Sequence, residues 1–304
     1  LFICYKEFFY EYLNDFAMDI RYLESLISVV ELGSIAAAAR AQNLTPAAVG
    51  QRITILEKHF ATPLLNRNTH KALPTDACLN LLPKARQIVK EFQRMSAEVE
   101  TSGLTGKFHL GAISTALTGI LPGTIRQLAE AAPKLVLQIK PGTSNSLFSD
   151  LAERRIDAAI IALPPYALPR SFAVEVLRNE PLVLLSRNAL GNSARARLEQ
   201  NPYICYDAQS WGGLKAFQYL KDSKIRIEPF YELDALEAIE KLVLQGMGVS
   251  LVPQWAGLNL EQPGLDAEII RNQRYCRKVV LVTPNDSARQ PVIDALLLAL
   301  NSSD

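Results

Sequence analysis

Six residues at helical spacing are the first candidates for chemistry. Pro46, Ala47, Gly50, Gln51, Thr54 and Lys58 fall on one face of a helix within residues 45–60, while Val49, Ile53, Leu56 and Phe60 fall on the other. The first face is small, polar and basic. Short side chains let a helix approach a DNA major groove closely, and the Gln51 amide and Thr54 hydroxyl could read base edges there. The same spacing also suits an ordinary antiparallel helix pair in a core. A second set lies further on. Ser114-Thr115 and Thr143-Ser144 each follow a β-branched run and open a helix, where backbone N–H groups and hydroxyls can hold an anion or polar group. Plain helix capping is the competing reading.

Catalytic arrangements are absent from the pattern. The three histidines, His59, His70 and His109, form no triad or metal pair with neighbouring residues. Gly246-Met247-Gly248 lacks the third glycine and preceding strand of a dinucleotide loop and reads as scaffold. The four cysteines, Cys4, Cys78, Cys205 and Cys276, form no CxxC pair. Isolated thiols, with no signal peptide or membrane-length apolar run, lead us to expect a reducing cytoplasm and no membrane partner.

Other elements must position these residues. Ser34 caps a first helix through the small run Ala36–Ala39, which allows two helices to cross closely. Thr45 caps the next, with Pro46 at its first position, where a missing N–H costs nothing. Thr62-Pro63-Leu64-Leu65 and the basic tip around Arg67 and Lys71 suit a wing against the sugar-phosphate backbone. From Gly33 to Asp76 five basic residues (Arg40, Arg52, Lys58, Arg67, Lys71) face two acids (Glu57, Asp76). The whole chain has 304 residues and a net charge of only +1, so any basic surface is local. Ile20–Glu31 reads as the helix that supplies the core of this domain.

Thr75 and Asp76 begin a long helix expected to reach about Thr101. Leu82, Ala85, Val89, Phe92, Ser96 and Val99 follow a three-four spacing that suits a dimer seam, or packing on the helix's own domain. Residues 1–17 read as an upstream extension, with an extra helix on the DNA-binding domain as the alternative. After the 102–106 linker, strand-like runs alternate with helices. Strands are expected at 108–113, 136–139, 158–163, 182–186, 203–206, 249–252 and 279–282. Helices are expected near 117–131, 146–154, 213–220, 236–245 and 290–300. The alternation implies mostly parallel sheets wrapped by helices.

From Met18 onward the chain resembles the LysR-type transcriptional regulators. The likeness rests on Met18-Asp-Ile-Arg-Tyr-Leu-Glu-Ser-Leu, Gly33-Ser-Ile-Ala-Ala-Ala-Ala, Leu44-Thr-Pro-Ala-Ala-Val, Pro63-Leu64-Leu65 and Pro74-Thr75-Asp76-Ala77. Two positions depart from that pattern: Gly50 stands where a serine is usual and Cys78 where a glycine is usual. The resemblance implies a multidomain α+β chain. Its parts would be a winged helix-turn-helix at 18–76, a linker helix at 77–103 and a periplasmic-binding-protein-like α/β effector domain at 107–304. The effector domain would have subdomain I at 107–180 and 284–304, and subdomain II at 181–283. It implies DNA contacts from Ser34, Thr45, Pro46, Ala47, Gly50, Gln51, Arg52, Thr54, Lys58, Arg67 and Lys71. It also implies a small-molecule effector held by Ser114, Thr115, Thr143, Ser144, Tyr206 and Asp234, with no other cofactor. Double-stranded DNA, a second copy of the chain, a dimer of dimers and RNA polymerase are the implied partners. Two alternatives stay open: a redox-sensing regulator using Cys205 and Cys276, and a solute-binding protein.

Overall fold

The computed structural model describes residues 18–66, 72–95, 103–187 and 193–302. Two compact units divide the chain, one drawn from residues up to Val99 and one from nearly everything after it. The expected extension at 1–17 lies outside the described residues.

Helix α1 (Ile20–Leu32) opens the N-terminal unit, with the Asp19 carboxylate accepting from Arg21 N at its start and Gly33 left-handed at its end. Helix α2 (Ile35–Ala41) and helix α3 (Pro46–His59) follow, capped by Ser34 and Thr45. A two-residue ladder, β1 (Leu65–Asn66) with β2 (Leu73–Pro74), forms the base of the wing. Helix α4 runs Asp76–Met95. Leu23, Leu26, Ala38, Val49, Ile53, Leu56 and Leu64 build one core, and Ala38 and Ala39 lie where a larger side chain would hold the helices apart.

Helix α4 corrects one expectation. Leu82, Ala85 and Val89 are buried in this core together with Cys78. The seam proposed from their spacing is therefore mostly an intradomain one: three short helices leave an open apolar side, and α4 covers it. Of the proposed seam, Phe92 is 52% exposed, while Ser96 and Val99 lie outside the described residues. Phe60 also departs from its assigned inward face and sits half-exposed at the end of α3, edge-on to His59.

The C-terminal unit has two lobes. In the first, β3 (Gly106–Ala112), α5 (Ser114–Gly119), α6 (Leu121–Ala131), β4 (Leu135–Pro141), α7 (Ser144–Ala152), β5 (Ala158–Ala162) and β6 (Phe172–Glu180) follow in order. The chain then enters the second lobe with β7 (Leu182–Arg187), α8 (Ala194–Gln200), β8 (Tyr203–Tyr206), α9 (Leu214–Asp222), β9 (Pro229–Leu233), α10 (Leu236–Leu244), β10 (Ser250–Pro253) and β11 (Leu265–Ile270). It returns through β12 (Arg277–Pro284) and ends on α11 (Gln290–Asn301).

The first lobe holds a five-stranded sheet, β4-β3-β5-β12-β6, with β3 parallel to β4 and β5 but β12 antiparallel to both its neighbours. Strand β12 was expected in subdomain II. It is hydrogen-bonded between β5 and β6, so the return crossing falls before Arg277 rather than near 284. The second lobe has an antiparallel sheet, β10-β7-β11, and a parallel pair, β8-β9. That antiparallel sheet departs from the mostly parallel expectation. Strands β6, β9 and β11 were not anticipated. Strands β6 and β11 are edges that interleave charged residues such as Glu175, Arg178 and Glu268 with apolar ones, which dilutes the apolar run. The helix expected at 117–131 is two helices meeting at Ile120; Pro122 has no N–H to donate to Thr118 O, so the i→i−4 ladder cannot run through it, whereas the first turn of a new helix tolerates proline.

Candidate functional site

Thr45, Pro46, Ala47, Gln51, Thr54 and Lys58 are all exposed on α3, and Gly50 is half-exposed among them. Val49, Ile53 and Leu56 on the opposite side are buried. One helix thus anchors in a core and presents short polar groups to solvent. A Cβ at Gly50 would meet nothing within 4 Å, so the position where the family carries serine has room for that side chain. The Thr54 hydroxyl donates to Gly50 O at 3.1 Å, and the residue stays exposed.

Three of the predicted residues are spent differently. Ser34 and Thr45 use their hydroxyls as caps, accepting from Ala37 N at 3.0 Å and Ala48 N at 3.2 Å. Arg52 leaves the outward face: its guanidinium turns back to α1 and donates to the buried Ser25 hydroxyl at 2.9 Å. It ties α3 to α1. Arg67 and Lys71 lie outside the described residues.

In the C-terminal unit, sequence reasoning missed the central pair. Arg277 and Glu180 are each 2% exposed at the side chain, and Arg277 Nε donates to Glu180 Oε2 at 2.6 Å. They face one another in the β12–β6 register. Burial raises the Glu180 carboxyl above its ordinary range, with the Arg277 guanidinium opposing it. Arg277 also donates through Nη2 to the buried Thr115 hydroxyl at 3.2 Å. Tyr206 closes the group from the second lobe: a Cβ at Gly212 would lie 3.0 Å from the Tyr206 hydroxyl oxygen and 3.1 Å from Arg277 Cδ. Burial pushes the Tyr206 hydroxyl up, opposed first by the positive charge of Arg277. Thr115 and Tyr206 are thus brought to one buried cation between the lobes.

The other predicted effector residues separate from that group. Thr143 caps α7, accepting from Ser146 N at 3.2 Å, and Ser144 accepts from Ala162 N at 3.1 Å. Capping therefore describes Thr143. Ser114 and Asp234 are exposed. Asp234 does not cap α10, whose N-cap is Ala235 without a side-chain bond. Partial burial, then the neighbouring Asp207, raises the Asp234 carboxyl. The lobes also meet where Thr118 donates to Glu237 at 3.2 Å and where Gly119 lies so close to Ala256 that a Cβ would come within 2.6 Å. Trp211 of the second lobe meets Phe148 of the first at a tilt and Tyr166 edge-to-face, with centroids at 6.3 and 5.7 Å.

Neither Cys78 nor Cys205 is poised as a thiolate. Burial pushes Cys78 up to about 11 and raises Cys205, with Glu232 and Asp207 adding to the latter. Among the described residues no cluster of histidines, cysteines or acids could hold a metal ion. Native-state maleimide labelling at pH 8 should leave Cys78 unmodified and label Cys205 at least tenfold more slowly than a free small-molecule thiol. Peptide mass spectrometry after timed quenching measures this. Rapid labelling of Cys205 that peroxide blocks would restore the redox reading.

An outward polar helix on a helix-turn-helix core, in one chain with a two-lobed α/β unit, defines a ligand-responsive DNA-binding regulator. Residues 20–79 match the model for the bacterial regulatory helix-turn-helix protein, lysR family, and residues 101–303 match that for the LysR substrate binding domain. The chain belongs to the LysR family and is a DNA-binding transcriptional regulator with a C-terminal effector-binding domain. Among curated relatives, the HTH-type transcriptional regulator CzcR of Bacillus thuringiensis is 26% identical over 255 residues, 83% of each chain. The hydrogen peroxide-inducible genes activator of Haemophilus influenzae is 24% identical over 249 residues, 80% of this chain and 82% of the relative. Among solved structures, a full-length OxyR variant from Pseudomonas aeruginosa superposes with a TM-score of 0.71 at 18% identity, covering 93% of this chain and 94% of that one. Full-length CbnR in complex with its target DNA gives 0.62 at 18% identity, covering 94% and 100%. At these identities the structural likeness speaks for the fold.

Proposed function

We propose that the exposed face of α3, centred on Ala47, Gln51 and Thr54, lies in the major groove of an operator. Pro46, Gly50 and Lys58 line its approach, and the wing, with Arg67 and Lys71, lies on the phosphate backbone. The observation that carries this is the division of α3: Val49, Ile53 and Leu56 sealed in the core, Gln51 and Thr54 in solvent. Ser34 and Thr45 hold the two helices in register rather than reading bases, and Arg52 braces α3 on α1. Two copies would pair through the outward stripe of α4 that carries Ile88 and Phe92, which are 38% and 52% exposed. A two-fold dimer matches half-sites spaced by helical turns, and dimers could pair again into a tetramer. The chain acts on DNA inside the cytoplasm and carries no enzymatic step of its own. Among the described residues, no single helix is long and apolar enough to cross a membrane.

A small-molecule effector would enter between the lobes near Thr115 and Tyr206, with Thr143, Ser144, Ser114 and Asp234 at its margins. Binding there would favour one lobe arrangement and so shift the population of oligomer geometries, including the form that engages RNA polymerase. A redox trigger at Cys205 finds little support in a half-buried thiol whose surroundings favour the protonated form.

Gln51→Ala is the test. It should weaken operator binding by roughly 1–3 kcal/mol, the value of one good base contact, and leave nonspecific duplex binding nearly unchanged. Fluorescence anisotropy on both DNAs at one salt concentration gives the comparison. Equal losses on the two DNAs would remove Gln51 from base recognition.

A further inference from the structure

Three polar side chains inside the N-terminal unit meet at one hydroxyl. Ser25 on α1 is fully buried. Its oxygen accepts from Arg52 Nη1 of α3 at 2.9 Å. Its one proton faces two acceptors, Gln42 Oε1 at 2.8 Å and Arg21 O at 3.0 Å. Gln42 in turn donates through Nε2 to Glu24 O of α1 at 3.2 Å. Gln42 is the C-cap of α2, and the turn that leaves it, with Asn43 left-handed at φ 54°, delivers the chain to Thr45 at the start of α3. A single hydroxyl on α1 therefore holds both arms of the helix-turn-helix, α2 through Gln42 and α3 through Arg52.

The remaining contacts among these helices are apolar, with Leu23, Leu26, Ala38, Val49 and Ile53 at their centre. Apolar packing fixes how closely two helices approach. It fixes rotation of a helix about its own axis less well, because the attraction has no preferred direction. Hydrogen bonds are directional and weaken steeply as their angle closes. Any rotation of α3 that draws Arg52 off Ser25 swings the adjacent Gln51 through the same angle. Contacts to base edges depend on that alignment, whereas phosphate contacts carry no sequence information and tolerate its loss.

We propose that Arg52, Ser25 and Gln42 are positioning residues for base recognition: they set the rotation of α3, and with it the ratio of operator to nonspecific affinity, without touching DNA. The inference rests on the reading of α3 as the groove helix. It directs the Arg52 guanidinium at Ser25 and not at a phosphate.

The probes are a duplex that the full chain selects from a random-sequence library and a scrambled duplex of the same length. Anisotropy over a salt series gives the affinity and the salt slope for each. Ser25→Ala and Arg52→Met should each weaken the selected duplex by about tenfold or more and the scrambled one by less than about threefold, with the salt slope unchanged. The double variant should lose little more than either single, because all three remove one bonded unit. Equal losses on both duplexes for Arg52→Met, with a salt slope smaller by about one, would make Arg52 a phosphate contact and overturn the proposal. The triple variant Ser25→Ala, Gln42→Leu, Arg52→Met separates stability from positioning, since apolar groups need no partners. Its urea midpoint should return to that of the parent while its discrimination between the duplexes stays lowered by about tenfold. Recovery of both would reduce the network to a stability element and overturn the proposal. Gln51→Ala in the same assay reports on the groove reading itself. A selective loss there beside an unaffected Ser25→Ala discards this inference alone; no selective loss for Gln51→Ala discards both.

Discussion

Arg277→Ala should destabilise the C-terminal unit by about 3–5 kcal/mol, the cost of leaving a buried charge without its partner. Glu180 is 2% exposed at the side chain and bonds Arg277 through Nε at 2.6 Å, so its removal strands the carboxyl in a low-dielectric interior. Thr115 loses the same guanidinium. The size of the loss should depend on pH. A buried Glu180 without Arg277 has a folded-state pKa above its unfolded value, so the folded variant holds a proton that the unfolded chain has released. Stability then falls as pH rises above the ordinary glutamate range, and the variant should be weaker at pH 8 than at pH 5. The double variant Arg277→Met with Glu180→Leu should recover much of the loss, because apolar groups of similar volume need no counter-charge. Urea denaturation of the three proteins at both pH values measures this. A single variant as stable as the parent at pH 8 would mean that the pair is not the buried junction described here.

The second large effect is expected in the N-terminal unit. Leu56 is fully buried beneath α3, and Leu56→Ala should cost about 2–5 kcal/mol through lost transfer energy and the cavity left behind. A unit this small has little stability to spare, so operator and nonspecific DNA binding should fall together, unlike the selective loss expected for Gln51→Ala. The unfolding transition of the C-terminal unit, read by Trp211 and Trp255, should stay where it is. A Leu56→Ala protein that keeps full operator affinity at 37 °C would contradict the role of this core in presenting α3.

These two variants also mark where the sequence was readable and where it was not. In the N-terminal half the relevant interactions are local. Ser34 and Thr45 begin helices by accepting from residues three positions on, Pro46 fits the first helical position because it lacks an N–H, and the spacing of Val49, Ile53 and Leu56 sets the buried face without help from distant chain. The outward position of Gln51 and Thr54 follows from the same periodicity. Local pattern failed where two faces of α4 were both partly apolar. Leu82, Ala85 and Val89 fit a dimer seam and an intradomain core equally well, and only the open side of the α1–α3 bundle decided between them.

In the C-terminal half the informative contacts are long-range. Arg277 and Glu180 meet in an antiparallel register across 97 positions of sequence, a pairing that no local pattern encodes. The short, central run at 279–282 announced a strand but not which lobe would take it, because each lobe could bury it. Edge strands β6 and β11 went unseen since their outward residues are charged. Sequence alone determined the helix-turn-helix, its outward face and the alternating α/β texture, since helix caps and apolar periodicity act within a few residues. Tertiary structure decided the lobe that owns β12, the diversion of Arg52 to α1 and the buried cation beside Thr115, since burial and charge pairing depend on which distant segments close over a residue.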